Sequence, residues 1–269
     1  MTEDIVLTRR EGGVLHITMN RPEARNAMSQ ELLDGIDAAV ASVADDRSCR
    51  AIVLRGEGKS FSAGGDVRGF KASQQTGAED GTAGADPIAE RNRQGGAFFQ
   101  RMDRTPQPLI VLADGAALGG GFGLVCAADI VIATPRARFG LTEARLGVLP
   151  AAILPVVIGR IGERLTRRLA VMSNMLSGEE AVEIGIIDWL CPDIDAAEAK
   201  VADVLTEILK GAPSAIARAK TVIRAVRDHD VDFALDIAAT QFAAAQRSAE
   251  AKEGVQAFID KRAPGWAEI

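Results

Sequence analysis

Histidine and cysteine are scarce in this 269-residue chain: two histidines, His16 and His229, and three cysteines, Cys49, Cys126 and Cys191. No Cys/His pair has the spacing of a metal site, so no resident metal is expected. The thiols are odd in number, far apart and set mostly in apolar stretches. That suits free buried cysteines in a reducing compartment better than a disulfide framework. A basic excess is also missing: 31 Lys and Arg face 37 Asp and Glu, for a net charge of −6. This argues against a general nucleic-acid binder but leaves room for an anionic small ligand held by a few local cations. Long hydrophobic runs are absent as well, each being broken by Gly, Pro or Asp before it could span a bilayer. The opening MTEDIVLTRR has neither a signal-peptide core nor transit-peptide character, and a cytoplasmic location is expected. At 47% hydrophobic and 25% charged residues, the chain has the composition of a globular protein with a real core.

The first two-thirds alternates strand-like and helix-like pieces. Residues 4–9 and 13–19 are β-type runs around Gly12-Gly13. Leu32, Ile36, Val40 and Val43 recur at helical spacing and predict a helix over 29–44. "AIVLRG" (51–56), "PLIVLA" (108–113) and "DIVIA" (129–133) are continuous apolar runs of strand length, the signature of strands covered on both faces. Between Phe70 and Phe98 the only large aliphatic residue is Ile88, so 71–97 reads as a long polar loop that could close over a ligand. Ser177-x-x-Glu180 is a capping-box pattern opening a short helix. From Asp195 onward the strand signals stop, and four amphipathic helices follow. Two regions are therefore expected, a catalytic core over 1–195 and a helical region over 196–269.

Glycine clusters carry the chemistry. In "AALGGGFGLVCAADIVIA" (116–133), Gly119, Gly120, Gly121 and Gly123 follow a strand and open a buried helix. Neither nucleotide fingerprint fits. The sixth position of G-x-G-x-x-G is Leu124 or Cys126, and "GKS" at 58–60 has Val53 where a phosphate loop needs glycine. The bare turn instead exposes backbone N–H groups at a helix N-terminus, where they have no intrahelical partner. Such amides make one half of an oxyanion hole. "FSAGGDVRGF" (61–70) leaves a second turn equally bare, and the two could converge on one oxygen.

With "NRPEARNAMS" (20–29), "ARFGLTEARLGVLP" (137–150) and "AFIDKRAPGW" (257–266), these stretches resemble, in order and spacing, the enoyl-CoA hydratase/isomerase (crotonase) family over essentially the whole chain. The resemblance implies an α/β fold, a spiral of ββα turns, with a C-terminal helical region that forms trimers or dimers of trimers. It implies that the backbone N–H groups of Gly65 and Gly120 hold the thioester carbonyl of an acyl-CoA. Arg25, Ala63, Gly65, Asp66, Val67 and Arg68 would line the CoA entrance. Phe258 and Lys261 would meet CoA, if need be across a subunit boundary. No cofactor is expected, since coenzyme A is part of the substrate.

Many hydratases of this family hold a water between two glutamates. Here the second is Glu143, in "FGLTEARLG", whereas the first position is Gly123. Partial burial beside Phe139-Gly140-Leu141 would raise the Glu143 pKa and suit it to proton transfer. Leu141, with Leu146, Val148 and Ile153, would shape the acyl pocket or belong to the core. One acid suffices to move a proton between two carbons, as in a Δ3-Δ2-enoyl-CoA isomerase. The wording of "GGGFGL" and "FGLTEARLGVLPAAILP" resembles most the glutaconyl-CoA hydratase branch, so hydration of a 2-enoyl-CoA is the leading expectation. Isomerisation is the alternative and a non-catalytic acyl-CoA-binding protein a further one. Thioester hydrolysis is disfavoured, because no Ser or Cys lies in a recognisable triad with His and an acid.

Overall fold

The computed structural model describes residues 4–66 and 86–267. β1 (Val6–Glu11) and β2 (Val14–Met19) form an antiparallel hairpin. Gly12 and Gly13 turn it with φ of 52° and 75°, values that glycine adopts without steric cost. From β2 onward the pairings between these strands are all parallel, among the described residues. β3 (Ala51–Gly56), β5 (Leu109–Ala113), β7 (Ile130–Ala133) and β9 (Trp189–Leu190) extend the large sheet in the order β1-β2-β3-β5-β7-β9. β4 (Ser60–Ser62), β6 (Ala116–Leu118) and β8 (Arg138–Gly140) form a second, smaller sheet. Each turn thus gives one strand to each sheet before the chain crosses back, which is a ββα spiral.

The helices of the core are α1 (Gln30–Ala41), α2 (Pro87–Arg104), α3 (Gly120–Ala127), α4 (Leu154–Met172) and α5 (Gly178–Glu183). Then come α6 (Ile194–Lys210), α7 (Pro213–Asp228), α8 (Val231–Gln246) and α9 (Ala249–Asp260). Ser29 caps α1, and the Ser177/Glu180 capping box is fully formed.

The apolar runs are explained by two cores, one on each face of the large sheet. Successive side chains of a strand point to opposite faces. Ile52 and Leu54 of β3, with Leu109 and Val111 of β5, enter the main core against α1, α2 and α3. Ala51 and Val53, with Ile110 and Leu112, enter a second core closed by Ala197, Val201 and Val204 of α6. Each fully buried large aliphatic contributes about 1.5–3 kcal/mol. α7, α8 and α9 differ: each buries one residue, Ala225, Ala234 and Ala257 respectively.

One expectation is corrected. Of the polar loop expected over 71–97, residues 71–85 lie outside the described residues, but 87–97 is helical. The Asp86 side chain accepts from Ile88 N–H at 2.8 Å and Pro87 occupies the first helical position, two strong start signals. The buried residues of α2, Phe98, Phe99 and Met102, all fall in its C-terminal half. The first half is solvated all round and carries no apolar periodicity to betray it.

Candidate active site

The segment 20–29 acts as a template for the first glycine turn. Pro22–Ala24 is a short 3-10 turn, after which Arg25 and Asn26 both take φ of 53°. That twist drives the Asn26 side chain into the interior, where it accepts from Arg21 N–H and donates to the Glu57 and Ser60 carbonyls. The Arg25 carbonyl accepts from Ala63 N–H at 2.9 Å, and the Asn26 carbonyl accepts from the Ser62 hydroxyl at 2.8 Å. Met28 N–H then donates to Gly64 O at 2.8 Å, and Asp66 N–H donates to Met28 O at 3.3 Å. In such a parallel bridge the N–H of the middle residue, Gly65, faces the other way. It has no acceptor among the described residues. Arg21 pairs with Asp66 at 3.4 Å and donates to Ala27 O, tying both ends of the template.

The second turn is set by β6 and β8. Gly119 N–H donates to Gly140 O at 3.0 Å, and Gly119 O accepts the first bond of α3, from Gly123 N–H. Gly120 is the first residue of that helix, so its N–H has no intrahelical partner. The two turns touch: a Cβ on Gly64 would fall 2.8 Å from Leu118 O and 3.5 Å from Gly119 Cα. With φ of 94° at Gly64 and 52° at Gly119, glycine is required at both.

Glu143 closes the group. It opens the 3-10 turn Glu143–Leu146 that follows β8. Its Oε1 lies 2.9 Å from where a Cβ on Gly119 would sit, so the carboxyl rests against bare backbone. Oε2 is buried with no hydrogen-bond partner. Burial pushes the Glu143 pKa above its ordinary value, and the local N–H groups of Glu143 and Thr142 only partly oppose it. A carboxyl with one orphaned oxygen, facing two bare amide turns, can exchange a proton with a bound molecule.

Position 123 is filled. A Cβ on Gly123 would fall 2.5 Å from Ile153 Cγ2 and 2.9 Å from Phe99 Cε1, so no glutamate fits there without repacking. The surroundings of Gly123 are apolar wall.

Beside Gly65 a cavity of about 860 Å³ opens between α1 and α2, lined by Met28, Leu33, Asp66, Arg91 and Phe98 among others. Arg25 and Ala63 flank the first turn, while Val67 and Arg68 lie outside the described residues. Leu141 is buried in the main core, Ile153 packs on Gly123, and Leu146 is exposed. Phe258 is 86% exposed, and Lys261 caps α9 with φ of 56°. Trp266 binds that end of the chain to the start of β3 and the end of α6, its carbonyl accepting from Arg50 and its indole N–H donating to Lys210 O. Within one chain, therefore, the segment that follows Phe258 and Lys261 is tied to the start of β3, whereas the glycine turns follow β4 and β6. Sequence reasoning missed Asn26 and Met28. "NRPEARNAMS" contains both, but only the left-handed turn and the bridge show why they matter.

Among the described residues there is no cluster of His, Cys, Asp and Glu fit for a metal, and no helix is long and apolar enough to cross a membrane. A ββα spiral of parallel strands followed by a helical tail is the crotonase architecture. The profile of the enoyl-CoA hydratase/isomerase family matches residues 9–268, and the chain belongs to that family. It is similar to the solved structure of AtuE from Pseudomonas aeruginosa, with 41% identity, a TM-score of 0.92, and coverage of 98% of this chain and 100% of that one. The 1,2-epoxyphenylacetyl-CoA isomerase of Escherichia coli is 32% identical over 97% of both chains. The short-chain-enoyl-CoA hydratase of Clostridium acetobutylicum is 28% identical, covering 96% of this chain and 95% of its own. Relatives of both reaction types thus lie at comparable distance.

Proposed function

We propose that the protein is an enoyl-CoA hydratase that adds water across the 2,3 double bond of an enoyl thioester. The Gly65 and Gly120 N–H groups hold the thioester oxygen, and Glu143 serves as the sole acid and base. Its carboxylate takes a proton from water as the water oxygen bonds to Cβ. The double-bond electrons move onto the thioester oxygen, where the two amides strengthen as charge grows. The new carboxylic acid then returns its proton to Cα, so that one water is added in total. The observation that carries this reading is the partnerless, buried Oε2 of Glu143, with Oε1 against Gly119. The cavity beside Gly65 has room for an acyl group, and the sequence resemblance favours a branched, glutaconyl-type one.

A second reading rests on Gly123. With Ile153 and Phe99 filling the place of another carboxylate, Glu143 alone could carry a proton from C2 to C4 of a 3-enoyl-CoA, which is isomerisation. Incubation with a panel of 2-enoyl- and 3-enoyl-CoA thioesters, branched glutaconyl types included, separates the two. Hydration adds the mass of one water and removes the conjugated absorbance; isomerisation leaves the mass unchanged and creates that absorbance. No turnover of any member of the panel would favour a non-catalytic acyl-CoA-binding role.

The exposed apolar residues of the tail, Ile223, Leu235, Phe242 and Val255 among them, support assembly into a homotrimer or a dimer of trimers. Such assembly would bring Phe258 and Lys261 to the CoA of a neighbouring subunit. Three free, buried thiols fit a cytoplasmic setting.

A further inference from the structure

Where β3 and β5 begin, beside residues other than those of the glycine turns, the chain builds a second polar cavity of about 300 Å³. Arg47, in the turn before β3, and Arg104, ending α2, form one side; Arg218, Thr221 and Arg224 of α7 form the other, with Gln241 of α8 behind them. No carboxylate of the described residues lines it. None of the four guanidiniums makes an ion pair with a carboxylate of the described residues. Arg218 donates to Gln241 Oε1 at 2.7 Å, while its Nε is buried with no partner. Arg224 donates to the Asp103 carbonyl and the Thr221 hydroxyl. The carboxylates nearby are committed elsewhere: Asp103 to Arg227, Asp129 to Lys220, and Glu250 to Ser214 N–H.

Four like charges around one concavity repel one another, and the carboxylates that attract them from outside the lining, Asp103 and Asp129 toward Arg224 and Asp228 toward Arg104, are each paired with another cation. In a protein of net charge −6, so local a positive concavity is no by-product of composition. Planar guanidiniums and an orphaned N–H match the oxygens of a phosphate group, while the Thr221 hydroxyl is spent on the Ala217 carbonyl. We propose that this cavity is a binding site for a small phosphate-bearing anion, separate from the acyl-CoA site. Its size admits an inorganic phosphate or diphosphate, or the phosphate end of a nucleotide. Because the site joins the end of α2 and the turn before β3 to α7 and α8, occupancy would also fasten the tail to the core.

Calorimetric titration of the full chain at constant ionic strength, in chloride buffer, tests this with inorganic phosphate, inorganic diphosphate and adenosine 3′,5′-bisphosphate as probes. Diphosphate is expected to bind more tightly than phosphate. The double variant R47Q/R104Q, changed at exposed positions whose side chains make no hydrogen bond or ion pair among the described residues, should weaken diphosphate at least tenfold and abolish the rise in melting temperature that diphosphate gives. R218Q should do the same. Preference for the bisphosphate, lost in the double variant, would assign the site to nucleotides; equal loss for all three probes would assign it to the phosphate group itself. Absence of binding at millimolar diphosphate overturns the proposal, as does binding that R47Q/R104Q leaves unchanged. Dissociation of an assembly by R47Q/R104Q, without any probe binding, would show that a second copy fills the cavity and would equally overturn it.

Discussion

The spiral core and the helical tail use the same kinds of residue to opposite effect. In β5 every side chain is buried, and β3 and β7 supply both cores at once. In α7, α8 and α9 one alanine apiece is buried, while Ile223 (68%), Phe242 (66%) and Phe258 (86%) stand in solvent. The core satisfies its own hydrophobic surface and so can hold two backbone turns in contact. The tail does not satisfy its own, which is what an unpaired assembly surface looks like.

The largest effect should come from the core. Glu143→Gln removes the proposed acid and base, and kcat should fall by about 10²–10⁴-fold with CoA affinity retained. Retained turnover would remove Glu143 from the mechanism. The same variant reports on burial. A carboxyl whose folded pKa is raised binds its proton more tightly in the folded state. Its ionisation therefore costs no stability below the unfolded value, and the penalty grows as pH rises through the folded one. Glu143→Gln should melt higher than the wild type at neutral pH, and the gap should close under acid conditions. For the same reason, kcat/KM should rise with pH through a value above that of an ordinary carboxylate, since the base must be ionised.

Next come the glycines. Gly119→Ala forces φ of 52° on a residue with a side chain and drives a Cβ to 2.9 Å from the Glu143 carboxyl. Gly120 in place of a bulky residue spares Met28 Sδ, which lies 2.6 Å from its missing Cβ, so Gly120→Leu should impair binding and rate together. Displacing one oxyanion donor typically raises the barrier by roughly 3–4 kcal/mol. Steady-state kinetics with the best thioester of the panel would measure both variants. Normal rates in Gly120→Leu would break the link between the bare turns and catalysis.

Smaller still is the effect at the apolar wall. Gly123→Ala overpacks Ile153 and Phe99 and should cost about 1–3 kcal/mol of stability, read by urea denaturation. Gly123→Glu should be worse, because it buries a carboxylate with no partner, and it should fail to raise hydration. A stable, faster Gly123→Glu enzyme would mean that the wall yields.

The least costly change to the protomer itself is in the tail. Phe242→Asp, at an exposed position, should leave the fold within about 0.5 kcal/mol of the original. If the proposed trimer or dimer of trimers forms through this face, it should nevertheless lower the mass measured by light scattering to that of a monomer. An unchanged assembly would show that α8 faces solvent and would weaken the contrast between core and tail.

Much was legible in the linear chain because it depends on local physics. Continuous apolar runs at 51–56, 108–113 and 129–133 mark strands buried on both faces, and the Ser177/Glu180 pair marks a helix start. The start of α2 was not legible, for its first turns bury nothing and its start signals sit in a polar stretch. Asn26 escaped notice because a buried asparagine resembles a loop asparagine until the left-handed turn at Arg25 points it inward.

By itself the sequence determined where backbone could lie bare, at 63–65 and 119–121, since only missing side chains permit close approach. It also determined that one carboxylate would follow β8. Tertiary structure alone decided that the two turns touch, that Glu143 rests on Gly119, and that Ile153 and Phe99 occupy the space at Gly123. These are contacts between residues dozens of positions apart. No local propensity encodes such contacts; only the closing of one spiral turn upon the next brings them into being.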